Sequence, residues 1–486
     1  MRKVISYSWS GAIKAKYNHV TSDIAAQLRG IVGDAHVVYG DADKLEPYSR
    51  DEIPDPHYSH MPEAAVRPGG AEEIAAILQL ANRHKIPVTP RGAGSGLSGG
   101  AVPVCGGIVL LVDRMNRILQ IDPDNMVVVV EPGVVTADIN EAVAEYGLFY
   151  AGYPMSLETC SIGGNVAENA GGGKAVKYGV TGRYVLGLQV VTPTGRIVQF
   201  GGKLVKDVTG YNMVQLMVAS EGTLGIFTKI TLKLLPVPRA SVDLLCLFKS
   251  ARDAIAEVPQ MMAAAGVVPS AIEFMDSSAV QAACEYLGES IPYQQAGAML
   301  MITVDGADAD QVEYQYDAIG QRCLAAGAIE VYVADNATTS ERVWKVRRNV
   351  AEAFAVISPH QCNEDLVVPP AAVAQLTAGM EKIAARHGVR IPAYGHAGDG
   401  NMHTRIIKNP DWSVQRWNRT VPKILVDLYE LTASLGGRLS GEHGIGHKRK
   451  EYMPMFVSSE YLDILRAIKR ALDPNNILNP GKIFDL

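Results

Sequence analysis

The stretch that decides the fold is "PRGAGSGLSGG", residues 90–100. Glycines at 92, 94, 96, 99 and 100 free the backbone to turn sharply and present successive N–H groups, a concavity suited to phosphate oxygens. The residues before it, "IPVT", read as a strand, and those after it, "AVPVCGGIVLLVD", as turn and strand. A dinucleotide fingerprint needs GxGxxG opening a long helix, so a Rossmann site is disfavoured. The loop also lacks the GK[ST] of a nucleoside triphosphatase. Alone, such a loop is as readily a structural turn.

A second dense segment, "SIGGNVAENAGGG" at 161–173, changes that weighting. Two glycine loops flanking strands suggest a long diphosphate cofactor pinned at two places. Around them, "AEEIAAILQLANRHK" has apolar residues at helical spacing, and "GGIVLLVDRM" and "MVVVVEPGV" read as strands. "ADINEAVAEYG" predicts a short helix with Gly147 as C-cap. "VLGLQVVTPTGRIVQFGG" predicts a hairpin turning at "TPTG". A boundary falls near Pro236, in "LKLLPVPRA". Beyond it come the helical "ARDAIAEVPQMMAAAG", the strand "AGAMLMITVDG" and a helix over 311–326, an α+β alternation.

Composition narrows the class. An apolar fraction of 48% and a charged fraction of 20% fit a folded globular chain, and 486 residues suffice for about two or three domains. The net charge of −6 gives no support for nucleic-acid binding. The six cysteines are scattered with no CxxC, which argues against a zinc ribbon or an iron–sulfur cluster and for reduced cytoplasmic thiols. "MRKVISYSWSGAIKAKYNHV" lacks an apolar signal core, and no run approaches the ~20 apolar residues of a transmembrane segment. Peripheral attachment to a membrane through a partner, and homo-oligomerisation, stay open.

The region from about residue 64 to 236 resembles the flavin-binding domain of the vanillyl-alcohol-oxidase-type flavoproteins. The matching residues are "PRGAGSGLSGG", "CSIGGNVAENAGG", "KYGVTGRYVLGLQVVTPTG" and "ASEGTLGIFTKITLKLLP". "YGHAGDGNMH", "SGEHGIG" and "DPNNILNPGKIF" extend the resemblance to FAD-linked 2-hydroxy-acid dehydrogenases, the group of D-lactate dehydrogenase, the glycolate oxidase large subunit and D-2-hydroxyglutarate dehydrogenase. The fold this implies is α+β: an FAD-binding domain over 1–236, an α+β substrate (cap) domain over 237–436, and a C-terminal segment, 437–486, returning to the first domain. The resemblance puts Arg91, Gly92, Ala93, Gly94 and Ser95 on the FAD diphosphate. It puts Ser161, Gly163, Gly164, Asn165, Ala170 and Gly171 near the flavin end. Glu221, Gly222, Gly225 and Ile226 would flank the adenosine part, and Asn479 would touch the flavin. Some relatives attach FAD through a histidine in the first loop; Gly94–Ser95–Gly96 has no such side chain, so non-covalent FAD is expected.

A lone histidine is usually structural, but "YGHAGDGNMH" places His396 and His403 among small residues, as if on a tight bend. A loop turning back between two short strands would bring both imidazoles to one point. Two imidazoles suit Zn²⁺, Mn²⁺ or Fe²⁺, and a catalytic site wants a third ligand. In "SGEHGIGHK", Glu442 offers the oxygen, while His443 would stay unligated and act as a base. The resemblance implies the same assignment: His396, His403 and Glu442 as ligands, His443 as proton acceptor. His447 has no counterpart and reads as structural. The simpler alternative is a flavin-facing wall without metal.

"WKVRRNVAEAF" predicts a helix, on which the resemblance makes Arg347 the binder of the substrate carboxylate, a task suited to a bidentate guanidinium. Arg348 reads as a solvated charge. Asn401, by family position, would hydrogen-bond the substrate. A second carboxylate, as in hydroxyglutarate, calls for another basic residue after this helix; "HQCNEDLVVP" has none and Ala351 offers no hydroxyl, which favours D-lactate or glycolate. With no haem, cluster or NAD motif, reduced flavin needs an external acceptor: an electron-transfer flavoprotein, an iron–sulfur subunit or a quinone-linked carrier. Competing readings are D-2-hydroxyglutarate dehydrogenase, a metal-free flavin alcohol or lactone oxidase, a non-catalytic flavin subunit, and a metallohydrolase without FAD.

Overall fold

The computed structural model describes residues 17–486 other than 55 and 290. The expectation of no secretory signal falls largely on residues 1–16, outside the described residues.

The first sheet runs Val37–Tyr39, Ala64–Val66, Ile108–Leu111, Val88–Arg91. The strands Ala64–Val66 and Val88–Arg91 both lie parallel to Ile108–Leu111 and are joined by the helix Ala71–His84. That helix forms where the sequence spaces Ile74, Ile77, Leu78 and Ala81 onto one face, and all four are buried against the sheet. The first glycine loop leaves the carboxyl end of Val88–Arg91, the edge where ligands bind in open α/β sheets. Residues 477–479 return to the same strand: Val88 N–H donates to Ile477 O, and Asn479 N–H to Val88 O.

A second, antiparallel sheet follows the order Ile118–Asp122, Val127–Val130, Ile226–Lys233, Val185–Val191, Ile197–Gly201. Its last two strands are the predicted hairpin, closed by Gly195 N–H donating to Thr192 O. The second glycine segment differs from its reading as a loop. It contains the helix Ile162–Glu168, ended by Asn169 in the left-handed region. Gly163 is small for contact rather than for turning: a Cβ there would stand 2.6 Å from Pro132 Cβ.

The seven-stranded antiparallel sheet runs Ala328–Ala334, Ala240–Phe248, Ala298–Gly306, Ala271–Asp276, Ala393–His396, Asn401–Ile407, Gln361–Val367. One face is apolar and packs on the helices Ala251–Ala265, Ala309–Ala325, Val373–His387 and Val414–Ser434. The other meets Ser277–Leu287, Ala337–Arg348 and Val350–Ile357. The expected single arginine helix is therefore two, broken where the Asn349 side chain turns back to Lys345 O. Strand register puts Glu273, Tyr394, His396, Asn401, His403, Arg405, Gln361 and Asp365 on this second face. Among the described residues, no helix is long and apolar enough to cross a membrane.

Candidate functional site

A cavity of about 1290 Å³ opens between the two glycine segments and the polar face of the seven-stranded sheet. Each residue expected to hold the cofactor lies on its wall: 91–95, Ser161, Gly163, Gly164, Asn165, Ala170, Gly171, Glu221, Gly222, Gly225, Ile226 and Asn479. The wall is built of backbone. A Cβ on Gly92 would collide with the Ser161 hydroxyl, which accepts from Ala93 N–H at 3.3 Å. Gly222 has φ +64°, and a Cβ there would stand 2.6 Å from Pro90. The helix Ile162–Glu168 begins on this wall, its first N–H groups tied down: Ile162 N–H donates to Val134 O and Gly163 N–H to Pro132 O. This cradle, closed by any added side chain, fits a long diphosphate cofactor.

Three of these side chains do structural work instead of reaching into the space. Arg91 donates to Arg50 O at 2.7 Å. Glu221 accepts from Ile445 and Gly446 N–H at 2.7 and 2.6 Å, tying the cavity floor to the segment that carries Glu442. Asn479 donates to Gly100 O and Glu221 O.

The two histidines stand on a hairpin, as the bend predicts: strand Ala393–His396 pairs with Asn401–Ile407, Tyr394 opposite His403 and His396 opposite Asn401. Gly400, at φ +86°, fits the turn because a Cβ would strike Val368 O. His396 Nε2 lies 3.3 Å from His403 Nε2, and each lies 3.4 Å from Glu442 Oε1. These contacts are long for hydrogen bonds, whose usual length is about 2.9 Å. They match the ligand–ligand edge, about 3.4 Å, of a tetrahedral cation with bonds of about 2.0–2.1 Å. His396 Nδ1 meets Glu273 Oε1 at 2.6 Å, leaving Nε2 free to face inward, the carboxylate–histidine arrangement of metal sites. The donor set and its spacing fit a divalent ion.

Asp365 organises the rest. Its Oδ2 accepts from Ser440 Oγ (2.6 Å) and from the N–H groups of Gly441, Glu442 and His443 (2.9, 2.8 and 2.8 Å). This carboxylate bends the 440–443 segment, and His443 is aimed by that turn. Asp365, His403, Glu442 and His443 also form a close donor group. Asp365 Oδ2 is already saturated, so it serves better as an anchor than as a ligand. The His443 ring stacks on His403 at 5.0 Å and 5°. Burial pushes its pKa down to about 4, against the pull of Asp365, so the imidazole is neutral at pH 7.

Arg347 is buried, its Nε donating to Glu273 Oε2 at 2.7 Å, while its Nη2 has no partner among the described residues. Burial opposes the Glu273 charge, yet Arg347 and His396 outweigh it and hold the carboxyl at about 2. Arg348 pairs with Glu341 at the rim. Asn401 is not brought to the cavity wall. Its amide donates to Asp365 Oδ1 (2.7 Å) and Leu366 O, so it braces the anchor rather than facing a substrate. His447 packs its Cβ against Gly99. Sequence reasoning missed Glu273 and Asp365. The available signal was a charged residue alternating into a strand's polar face.

Residues 62–201 match the FAD binding domain, and residues 237–483 match the C-terminal domain of FAD linked oxidases. The chain belongs to the FAD-linked oxidases. Like them it is an FAD-dependent oxidoreductase. This FAD-linked oxidase is 39% identical, over 96% of its length and 97% of the relative's, to "Glycolate oxidase subunit GlcD" of Bacillus subtilis (strain 168). It is 37% identical to "D-lactate dehydrogenase" of Anaerostipes hadrus, over 96% and 98%. In fold it resembles 4-ethylphenol oxidase from Gulosibacter chungangensis, with a TM-score of 0.77 at 20% identity over 95% and 97% of the two chains. That likeness bears out the vanillyl-alcohol-oxidase-type architecture.

Proposed function

We propose that this oxidoreductase converts a small D-2-hydroxy acid to its 2-oxo acid and hands the electrons to an external acceptor: an electron-transfer flavoprotein, an iron–sulfur subunit or a quinone-linked carrier. The observation that carries the reading is the triangle of His396, His403 and Glu442, with neutral His443 stacked beside it; His403, Glu442 and His443 lie on the wall of the cofactor cavity and His396 directly behind them. Two relatives named for glycolate and D-lactate support the substrate class.

Bound FAD supplies a two-electron acceptor for the substrate's hydride. A divalent cation (Zn²⁺, Mn²⁺ or Fe²⁺) held by His396, His403 and Glu442 supplies positive charge that acidifies the substrate hydroxyl. The protein does the rest. Arg347, its Nη2 unengaged, binds the substrate carboxylate and is kept in place by Glu273. His443 accepts the hydroxyl proton, its neutrality secured by burial. Asp365 aims both Glu442 and His443, and Asn401 fixes Asp365. The backbone cradle would hold FAD non-covalently, with residues 91–95 at the diphosphate, 161–165 and 170–171 toward the flavin, and Glu221, Gly222, Gly225 and Ile226 toward the adenosine part.

The test is anaerobic titration of the yellow protein with D- and L-lactate, glycolate and D-2-hydroxyglutarate, with and without a chelator, following flavin absorbance. D-isomers should bleach the flavin, and chelation should stop bleaching without releasing FAD. Preference for the L-isomer, or bleaching indifferent to chelation, refutes the assignment.

A further inference from the structure

We infer that Glu221 is a positioning residue that joins the cofactor cavity to the cation triangle, so that FAD and the divalent ion each strengthen the binding of the other. This rests on the reading of His396, His403 and Glu442 as a cation site beside a flavin cavity.

The three ligands come from two places. His396 and His403 stand on one hairpin of the seven-stranded sheet. Glu442 stands on the segment 440–449, which is gripped from both sides. Asp365, from the sheet, holds residues 440–443. Glu221, from the cofactor wall, holds the next turn: its Oε1 accepts from Ile445 N–H at 2.7 Å and its Oε2 from Gly446 N–H at 2.6 Å. Both oxygens of a buried carboxylate thus engage a turn that starts three residues beyond Glu442. Gly444 separates the two grips at φ +87°, and a Cβ there would stand 3.2 Å from Glu221 Oε1 and strike Glu168 Oε2. The far end of the segment meets the first glycine loop. Lys448 N–H donates to Ser98 O at 3.0 Å, and Arg449 Nη1 to Leu97 O at 3.4 Å.

Glu221 is itself held under strain. Its φ is +49°, and that of Ala219 is +61°, in the left-handed region that side chains disfavour. Such a conformation persists where the surroundings over-determine it. Here they are the cofactor wall. Glu221 N–H donates to Ala167 O at 2.8 Å, and its carbonyl accepts from Asn479 Nδ2 at 2.7 Å. Ala167, Glu221, Gly222 and Asn479 all line the cavity. Glu442 meets the same wall directly, since a Cβ on Gly171 would stand 2.7 Å from its Oε2. A cofactor that fills the cavity fixes the backbone from which the Glu221 carboxylate reaches out, and that carboxylate sets the turn that presents Glu442. Without cofactor, the ion must order this turn as it binds; with cofactor, the ordering is already done, which gives positive cooperativity with no new contact to the ion. Linkage makes the effect reciprocal, by one and the same factor.

The full chain and its E221Q variant test this by binding alone. In E221Q the amide turns its own NH₂ toward one of the two N–H groups, so the grip is broken while the side chain's shape is kept. The dissociation constant of FAD is read from flavin fluorescence on dilution, with saturating Mn²⁺ or with a chelator. That of Mn²⁺ is read by competition with a chelating dye, on the yellow protein and on the same chain stripped of FAD. In wild type each ligand should lower the other's dissociation constant by at least about fivefold. Concentrated protein stays yellow throughout, because a shift of this size shows only on dilution. In E221Q the factor should fall to within about twofold. Direct attraction between the ion and the flavin survives the substitution, so an undiminished factor in E221Q overturns the role of Glu221. Wild type that binds Mn²⁺ equally well with and without FAD overturns the coupling alone, whether or not E221Q folds. Wild type that holds FAD but binds neither Mn²⁺ nor Zn²⁺ overturns the cation reading and the coupling with it.

Discussion

Replacing Glu273 by glutamine changes one oxygen for one nitrogen, yet it removes the charge that two cationic groups share. Oε2 accepts from Arg347 and Oε1 meets His396, each pairing fully buried. The carboxyl stands at about 2 instead of the usual 4.5 of a free glutamate. Each tenfold in acidity is worth about 1.4 kcal/mol, so the surroundings favour the charged form by about 3 kcal/mol. Removing one partner of a buried ion pair costs about 3–5 kcal/mol, and the two figures agree. Because folding lowers this carboxyl's pKa, its stabilisation is complete above pH 4.5 and is lost as pH falls through about 2. The difference between wild type and E273Q should therefore be full at pH 7 and shrink below about pH 4.5. The substitution also loosens the His396 ring, and loss of such a partner weakens a metal site about 10- to 100-fold. Competition of Mn²⁺ or Zn²⁺ against a chelating dye measures the affinity, and thermal unfolding at pH 7 and at acid pH measures the stability. Metal affinity within twofold of wild type, with an unchanged unfolding temperature at pH 7, refutes the assignment of Glu273 as the clamp between Arg347 and His396.

His443→Gln should lower kcat about 100- to 10,000-fold, the usual worth of a general base, while bound FAD is unchanged in the absorption spectrum. Gly222→Ala, at φ +64° with Pro90 2.6 Å from the new Cβ, should shed flavin on gel filtration, read as flavin absorbance per protein. Asp365→Asn puts an amide against N–H donors that now meet a carboxylate; turnover should fall at least 100-fold with FAD retained, at about 1.5–3 kcal/mol per lost charged hydrogen bond.

How far the sequence could be read depended on how near each residue's partner lies. The cofactor wall was legible because a glycine-rich backbone site is written in contiguous residues, 90–100 and 161–173. What escaped was that Gly163 and Gly164 begin a helix: small residues needed for contact look the same as those needed for turning. His396 and His403 were legible as a pair because one hairpin carries both. Glu442 and His443 were found, but not the device that aims them, since Asp365 lies 77 residues before Glu442. Glu273 is 123 residues from His396, and nothing local in its apolar strand marks it. Asn401 was placed by its spacing, which carries no sign that its amide is engaged by Asp365.

The strand Val88–Arg91 begins the cofactor loop, and it is flanked by Ile477 and Leu478 from the far end of the described chain. Lys482 Nζ donates to Val102 O, a contact spanning 380 residues. During synthesis the glycine loop thus leaves the ribosome long before the residues that brace its floor. The nascent N-terminal half is consequently a flavin site with one wall missing, and capture of the cofactor must wait until residues 477–482 have emerged. Holding the dinucleotide is in this sense a checkpoint on translation having passed residue 482, and chains stalled or clipped ahead of residue 477 should emerge colourless.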